Sequence, residues 1–329
     1  MKLSIIIPCL NEERYIAGCI DSILKSDFNK RDMEVIFVDG MSSDNTRSII
    51  KKYQDKYDFI QLINNLKKIV PIAMNLGIRA SKGEYIIRLD AHASYPADYF
   101  SKLIYYHQKL EADNVGGVLL TEVKNKTNIP SAIKNVLSDK LGVGSSFRSG
   151  IDQISEVDTV PFGCYRRDIF ERVGYYDERL ARNQDIELNN RIKHSGGKIY
   201  IIPSIKCTYF AREDFRALAK NNFDNGRWNI LTAYYTGKLK SLSLRHYVPM
   251  LFLLSILIPL FCCYGVSMVV LVIYLTTVTI RSYQIKKETT LPYQVISFIY
   301  LHFSYGFGSL AGLLDILLKY LNQPFIKLQ

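Results

Sequence analysis

Apolar residues along this chain change their spacing repeatedly, and each change marks an element. Leu3-Ser4-Ile5-Ile6-Ile7-Pro8 is a short apolar run closed by a proline, which predicts a strand. After the polar turn Asn11-Glu12-Glu13, the residues Ile16, Cys19, Ile20, Ile23 and Leu24 recur at the spacing of one helical face. Residues 34–39 read as a second strand, and Ser43 or Asp44 would cap a helix through Ile49 and Tyr53. A third strand over 59–63 and a helix over 72–79 follow. Glu84-Tyr85-Ile86-Ile87-Arg88-Leu89, behind Gly83, is rich in β-branched and aromatic residues and predicts a buried strand. This alternation of strand and helix predicts an α/β fold with a mostly parallel, doubly wound sheet.

The pattern continues with a helix over 96–110, a strand over 116–122, a buried glycine-relieved stretch over 160–167 and a short helix over 169–173. Leu188 and Ile192 share one face of a helix that Asn183 would cap, and 198–203 is the last strand. Between them, residues 124–150 are polar and glycine-spotted, either a flap over a site or an ordinary surface loop. Residues 214–236 predict an amphipathic helix through Phe215, Leu218, Ala219, Phe223, Trp228, Leu231 and Tyr235.

Beyond it the spacing gives way to continuous apolarity. Residues 247–280 contain no charged side chain, and a single helix of about 34 residues would span roughly 50 Å, well past a hydrocarbon core of about 30 Å. Two helices around a turn near Cys262-Cys263-Tyr264-Gly265 fit better. Lys238, Lys240 and Arg245 before the run, and Arg281, Lys286 and Lys287 after it, predict two crossings with both ends cytoplasmic. A third apolar segment over 292–318 carries Gly306, Gly308, Gly312 and a lone Asp315, and is left open between spanning, re-entering and lying in the interface. The expected organisation is a cytosolic domain over 1–237 and a membrane domain over 238–329, multi-pass in the cell (inner) membrane.

Composition narrows the partners. The net charge of +11 suits nucleic acid, anionic lipid or an anionic small substrate. The basic residues are scattered and no nucleic-acid module is recognisable, which argues against the first. The six cysteines show no CxxC pairing and read as free thiols in a reducing compartment, and the first residues carry no signal-peptide pattern.

Candidate chemistry gathers at strand ends. The usual NAD and P-loop readings lack their motifs, GxGxxG and GxxxxGK(S/T). Instead Asp39 and Asp90 fall at the carboxyl ends of strands, where open α/β sheets bind ligands. Asp90 and His92, two residues apart, would share one side and either hold a divalent metal against a diphosphate or serve as a helix cap and a surface residue. Asp185 lies in a first helical turn, where the dipole favours its ionised form; it is either a general base or a complement to that dipole with Glu187. Trp228 suits core or interfacial packing, and Arg227 either snorkels or faces a diphosphate.

Taken together, Ile5-Ile6-Ile7-Pro8-Cys9-Leu10-Asn11-Glu12, Val38-Asp39-Gly40-Met41-Ser42-Ser43-Asp44, Arg88-Leu89-Asp90-Ala91-His92, Asn183-Gln184-Asp185 and Gly226-Arg227-Trp228 resemble, in order, the motifs of family 2 glycosyltransferases. The similarity is nearest the succinoglycan-biosynthesis type, whose metal motif also reads Asp-Ala-His, and covers roughly residues 1–235. It implies a GT-A type doubly wound mixed sheet, that of a nucleotide-diphospho-sugar transferase, followed by C-terminal transmembrane helices. It also implies a divalent metal (Mg²⁺ or Mn²⁺) and an inverting mechanism.

By matching positions, Pro8, Glu12, Asp39, Asp90 and Arg227 would bind the donor, and Asp90 and His92 the metal. Asp185 would be the catalytic base, with Gly163 and Trp228 on the acceptor side. Three positions depart from the family: His92 replaces the more frequent aspartate, a softer ligand that suits Mn²⁺. Gln184 replaces a glutamate, and Asp224 stands where Gln or Arg usually begins the last motif. The function implied is a membrane-anchored glycosyltransferase. It would move a sugar from a nucleotide-diphosphate donor, a UDP-hexose, to a lipid-linked (polyprenyl diphosphate) saccharide in exopolysaccharide or capsule biosynthesis. A processive polysaccharide synthase and a catalytically silent membrane scaffold are the alternatives.

Overall fold

A computed structural model describes residues 1–143, 147–148, 151–237, 246–286 and 289–322. The elements run β1 (Leu3–Cys9), α1 (Ile16–Leu24), β2 (Met33–Asp39), α2 (Thr46–Gln54), β3 (Ile60–Asn64), α3 (Val70–Ala80), β4 (Tyr85–Arg88), β5 (Ala93–Ser94) and α4 (Tyr99–Lys109). They continue with β6 (Asn114–Glu122), α5 (Asn128–Leu137), β7 (Ser155–Glu156), β8 (Cys164–Arg166), α6 (Asp168–Val173), α7 (Gln184–His194), β9 (Ile199–Phe210) and α8 (Phe215–Thr236). Three apolar helices end the series: α9 (Val248–Cys262), α10 (Tyr264–Ile285) and α11 (Leu291–Asn322).

The chain divides into two compact units, Met1–Thr121 with Ser146–Phe210, and Glu122–Ser145 with Ala211–Gln329. In the first, the strand order is β3-β2-β1-β4-β8-β6-β9-β5, with β7 beside β9. Strands β3, β2, β1 and β4 are mutually parallel. Strand β8 then runs antiparallel to β4 and β6. The sheet is therefore mixed: parallel where βα units feed it, antiparallel beyond β4.

Its parallel centre is buried on both faces, which is why β1 and β2 carry the apolar runs Ile5-Ile6-Ile7 and Val35-Ile36-Phe37-Val38 rather than alternations. Leu3, Ile5, Ile7, Val35 and Phe37 point to one face, against Ile16 and Ile20 of α1 and Phe100 and Leu103 of α4. Ile6, Ile36 and Val38 point to the other, against Met74 and Ile78 of α3 and Leu188 and Ile192 of α7. Each such side chain stabilises the fold by roughly 1.5–3 kcal/mol relative to exposure. Helix α3 approaches β1 so closely at Gly77 that any Cβ there would collide with the Ile6 side chain.

The second unit is helical. Gly226 of α8 faces the Tyr305 carbonyl of α11, while Gly308 and Gly312 of α11 face the Phe223 and Arg227 carbonyls of α8. These glycines let the two backbones meet, as small residues do where apolar helices pack. Arg227 Nε donates to Asp315 Oδ2 at 2.6 Å, so the lone acidic group of the last apolar stretch is paired. The turn between α9 and α10 falls at Cys263, inside the expected break. Helices α10 and α11 are long and apolar enough to cross a bilayer, whereas α9 has 15 residues. Arg281 is bound to Asp139, and Lys286 sits over the Tyr283 ring at 4.4 Å; Lys238, Lys240, Arg245 and Lys287 lie outside the described residues.

Three features depart from the pattern reading. Residues 128–137, inside the stretch read as flap or loop, form helix α5, whose Ile133 and Val136 pack with Phe298 and Leu301 of α11. Strand β9 runs to Phe210, well past 203. Helix α8, expected within the sugar-handling domain, groups with the C-terminal helices. All six cysteines are free thiols.

Candidate active site

Two loops at the carboxyl ends of β1 and β2 are laced together. Asn11 N donates to Ser42 Oγ (2.8 Å), Ser43 N to Asn11 Oδ1 (2.9 Å) and Glu12 N to Thr46 Oγ1 (2.7 Å). Asn11 and Met41 take left-handed backbone angles, φ 55 and 61, to make these turns. The register pairs Pro8 with Val38 and Cys9 with Asp39, so both loops leave the sheet side by side. Asp39 is fully buried, and its carboxylate is engaged by the Ser42 backbone N (3.0 Å), the Ser42 hydroxyl and Arg47 Nη1 (2.6 Å). What Asp39 presents at the strand end is thus an Asp39–Ser42–Arg47 cluster rather than a bare carboxylate.

Strand β4 stops at Arg88, and Asp90 and His92 stand on the turn into β5. The Tyr95 hydroxyl pins that turn, accepting from Asp90 N (3.1 Å) and donating to Asp90 O (3.0 Å). His92 Nδ1 lies 3.0 Å from Glu12 Oε1, and its ring meets Tyr209 edge-on at 5.1 Å and Tyr15 at 6.3 Å. Burial opposes the charge on His92, but Tyr209, the Glu12 hydrogen bond and the Asp90 and Glu12 charges outweigh it and lift the imidazole to about 9.

Asp185 reaches the same place from another element. Helix α7 is held by Leu188 and Ile192 in the core and by Asn189, which accepts from Asn114 Nδ2 and donates to Thr159 Oγ1, each at 2.8 Å. Glu187 clamps Arg191 (2.8 Å), whose guanidinium also donates to the Val173, Gly174 and Tyr175 carbonyls. Glu187 therefore has a scaffold role, and Asp185 is left facing the sheet. Asn183 enters the helix at φ 59 with no side-chain cap bond, unlike the ordinary cap its sequence suggests.

The group that gathers these carboxylates is Arg88, which the sequence motif contains but does not single out. Its Nη2 binds Asp90 Oδ1 at 2.9 Å and its Nη1 lies 3.9 Å from Asp185 Oδ2. Burial works against the Arg88 charge, and Asp90 and Asp185 more than offset it. Asp90 and Asp185, 95 positions apart in sequence (185 − 90), thus share one guanidinium on one side of the sheet.

Gly163 is buried, and a Cβ there would collide with Asn114 Oδ1 and the Tyr165 ring; its carbonyl accepts from Arg88 N at 3.2 Å. Packing alone accounts for a glycine at this position. Gln184 is buried with its Oε1 unpartnered. Arg227 and Trp228 belong to the second unit, where they contact Asp315 and Tyr235. The sequence reading also passed over Arg47, Arg148, Tyr95 and Tyr209, whose positions follow only from the folded chain.

Among the described residues, no three His, Cys, Asp or Glu side chains cluster as a self-sufficient metal cage. The donor set still fits a divalent ion shared with a diphosphate, since such ions take one or two protein ligands plus phosphate oxygens. A carboxylate on one imidazole nitrogen is the arrangement that orients the other nitrogen toward a metal. The Glu12–His92 pair meets that description.

Residues 4–174 match the family model described as Glycosyl transferase family 2. The dolichyl N-acetyl-alpha-D-glucosaminyl phosphate 3-beta-D-2,3-diacetamido-2,3-dideoxy-beta-D-glucuronosyltransferase of Methanococcus voltae is 31% identical over 233 residues, covering 68% of this chain and 71% of that protein. Succinoglycan biosynthesis protein ExoA of Rhizobium meliloti (strain 1021) is 30% identical over 227 residues, 68% of this chain and 67% of that protein. Among solved structures, the mannosyltransferase PcManGT from Pyrobaculum calidifontis, in complex with GDP-Man and Mn²⁺, superposes with a TM-score of 0.62 at 15% identity over 95% of this chain and 87% of that one. S. aureus TarS 1-349 in complex with UDP-GlcNAc gives 0.54 at 15% identity, covering 96% of this chain and 92% of that one. The chain belongs to glycosyl transferase family 2, with a GT-A-like fold.

Proposed function

We propose that this chain is a membrane-anchored, inverting, metal-dependent glycosyltransferase that moves a sugar from a UDP-linked donor to a lipid-linked saccharide in exopolysaccharide or capsule assembly. The observation that carries the proposal is the shared guanidinium: Arg88 holds Asp90 at 2.9 Å and approaches Asp185 at 3.9 Å. A carboxylate suited to the donor's diphosphate and a carboxylate suited to the acceptor hydroxyl then lie on one side of one sheet. The Asp39–Ser42–Arg47 cluster, with Pro8 beside it, lines the nucleotide end.

In this reading Asp185 takes the proton of an acceptor hydroxyl as its oxygen bonds the anomeric carbon. The bond from that carbon to the diphosphate oxygen breaks on the opposite face, so one displacement inverts the centre. Arg88, 3.9 Å from its carboxylate, orients Asp185. Asp90 and His92, with Glu12 behind the imidazole, would hold Mg²⁺ or Mn²⁺, whose contribution is to neutralise charge on the departing nucleoside diphosphate. Gln184 Oε1, buried beside the base, is available to a donor such as an acceptor hydroxyl. Gly163 and Trp228 remain assigned to the acceptor side and Arg227 to the diphosphate, on the resemblance alone.

The lipid-linked acceptor is supported by the Methanococcus voltae relative, whose name specifies a dolichyl-linked sugar phosphate. Anchoring by residues 238–329 is supported by α10 and α11 and by the apolar side chains they and α9 leave uncovered, such as Ile258, Phe261, Val269 and Ile273. With α10 spanning and basic side chains at its end, the sugar-handling domain would face the cytoplasm, in keeping with its free thiols.

Replacing Asp185 by Asn tests the assignment. Transfer is expected to fall by about 10²–10⁴-fold, the contribution of a positioned general base, while donor affinity stays within about threefold. Full activity in that variant would overturn the reading. A panel of UDP-sugars assayed for release of nucleoside diphosphate identifies the donor.

A further inference from the structure

We propose that Arg148 binds the diphosphate of the nucleotide donor and of the departing nucleoside diphosphate; this rests on the functional reading above. Arg148 stands apart from the other arginines of the site in what it lacks. Arg47, Arg88 and Arg191 each hold a carboxylate, at 2.6, 2.9 and 2.8 Å. Among the described residues no carboxylate lies within ion-pair distance of Arg148. Its Nη1 donates to Thr121 Oγ1 (2.7 Å), and its guanidinium lies over the Tyr209 ring, 4.9 Å from the centroid. Its Nε is cut off from solvent and has no hydrogen-bond partner.

Burial works against the charge, yet a guanidinium stays protonated in proteins, so the fold keeps a half-buried cation that is met by Thr121, Tyr209 and the charge of Asp90 but by no paired carboxylate. A cation without a paired counter-ion costs stability in proportion to its burial, and an arriving anion lowers that cost. Its position identifies the anion. The Tyr209 ring that carries Arg148 on its face meets His92 edge-on at 5.1 Å, and Arg148 is within Coulomb reach of Asp90. The cation therefore stands on the Asp90–His92 side, where negative charge accumulates as the glycosidic oxygen leaves. The planar fork of a guanidinium matches phosphate oxygens in pairs, which a lysine would not.

A phosphate at this place has two sources, the donor diphosphate and the phosphate of a lipid-linked acceptor; the contact with Tyr209, whose ring in turn meets His92, favours the first. The test is calorimetry on the full chain in detergent with Mn²⁺, titrating uridine, UDP and GDP into wild type, Arg148→Gln and Arg148→Lys. For Arg148→Gln, UDP affinity is expected to fall about 10- to 100-fold, the effect of losing charged hydrogen bonds, with uridine affinity within about twofold of wild type. Arg148→Lys, which keeps a cation but not the fork, should lose about 3- to 10-fold for UDP alone. Should Arg148→Gln not fold, that selective loss in Arg148→Lys decides.

Equal weakening for uridine and UDP would make Arg148 a structural residue and overturn the proposal. Unchanged UDP affinity would overturn it too, and a rise confined to the KM of a polyprenyl diphosphate saccharide would give the cation to the acceptor instead. A wild-type chain that binds neither UDP nor GDP would overturn the functional reading itself.

Discussion

The Glu12–His92 contact supports a quantitative prediction. Glu12 Oε1 and His92 Nδ1 are 3.0 Å apart, with the two side chains only 11% and 16% exposed, so water competes weakly for either atom. In the proposed metal-dependent reaction the carboxylate would hold the Nδ1 proton and leave Nε2 as the nitrogen available to a metal. Replacing Glu12 by Gln preserves size and leaves the backbone bond from Glu12 N to Thr46 Oγ1 (2.7 Å) in place, so the loop should keep its shape. What changes is the charge behind the imidazole. Losing such a partner typically lowers metal affinity about 10- to 100-fold, or roughly 1.4–2.7 kcal/mol. Titrating Mn²⁺ into the variant at saturating UDP should show that drop, while UDP affinity without metal moves by less than about twofold. Unchanged Mn²⁺ affinity would refute the orienting role. Equal losses with and without metal would make Glu12 a nucleotide contact alone.

Two further outcomes concern stability. His107 is buried with Nε2 unpartnered, and burial is the main cause that pulls its imidazole down to about 4. Since the unfolded chain takes up that proton near pH 6.5, stability is complete at neutral pH and is lost as pH falls from 6.5 toward 4. The loss between pH 7.5 and pH 5 should be about 2 kcal/mol, absent in His107→Leu, as read from denaturant midpoints at the two pH values. Gly308 faces the Phe223 carbonyl across the α8–α11 contact, so Gly308→Val should force the helices apart at about 1–3 kcal/mol. A melting temperature in detergent equal to wild type would show that the helices do not meet there.

How much of this was legible in the sequence depends on the range of the interaction. The parallel centre of the sheet was readable because β1 and β2 are buried on both faces, and double burial writes itself as continuous apolar residues. The break at Cys263 was readable because an uncharged run too long for one crossing must turn. Helix α5 was not: its apolar positions are interleaved with polar residues and Pro130 inside a polar, glycine-spotted stretch, and they become useful only against α11. Asp90, His92 and Asp185 were singled out one by one from local context and from motif order. That Asp90 and Asp185 converge on Arg88 depends on β4 and α7 meeting across the core, which no local pattern encodes.

The amino-acid sequence by itself determined the alternation of strand and helix, the apolar tail and the candidate acids, because backbone preferences and burial periodicity act over a few neighbouring residues. Only the tertiary structure decided which charges are paired. Asp39 is engaged by Ser42 and Arg47, Arg227 by Asp315, and Glu12 stands behind His92. Arg148 is enclosed without a carboxylate among the described residues. The physical reason is that an ion pair acts over a few ångströms of space irrespective of chain separation, so its partners are set by packing.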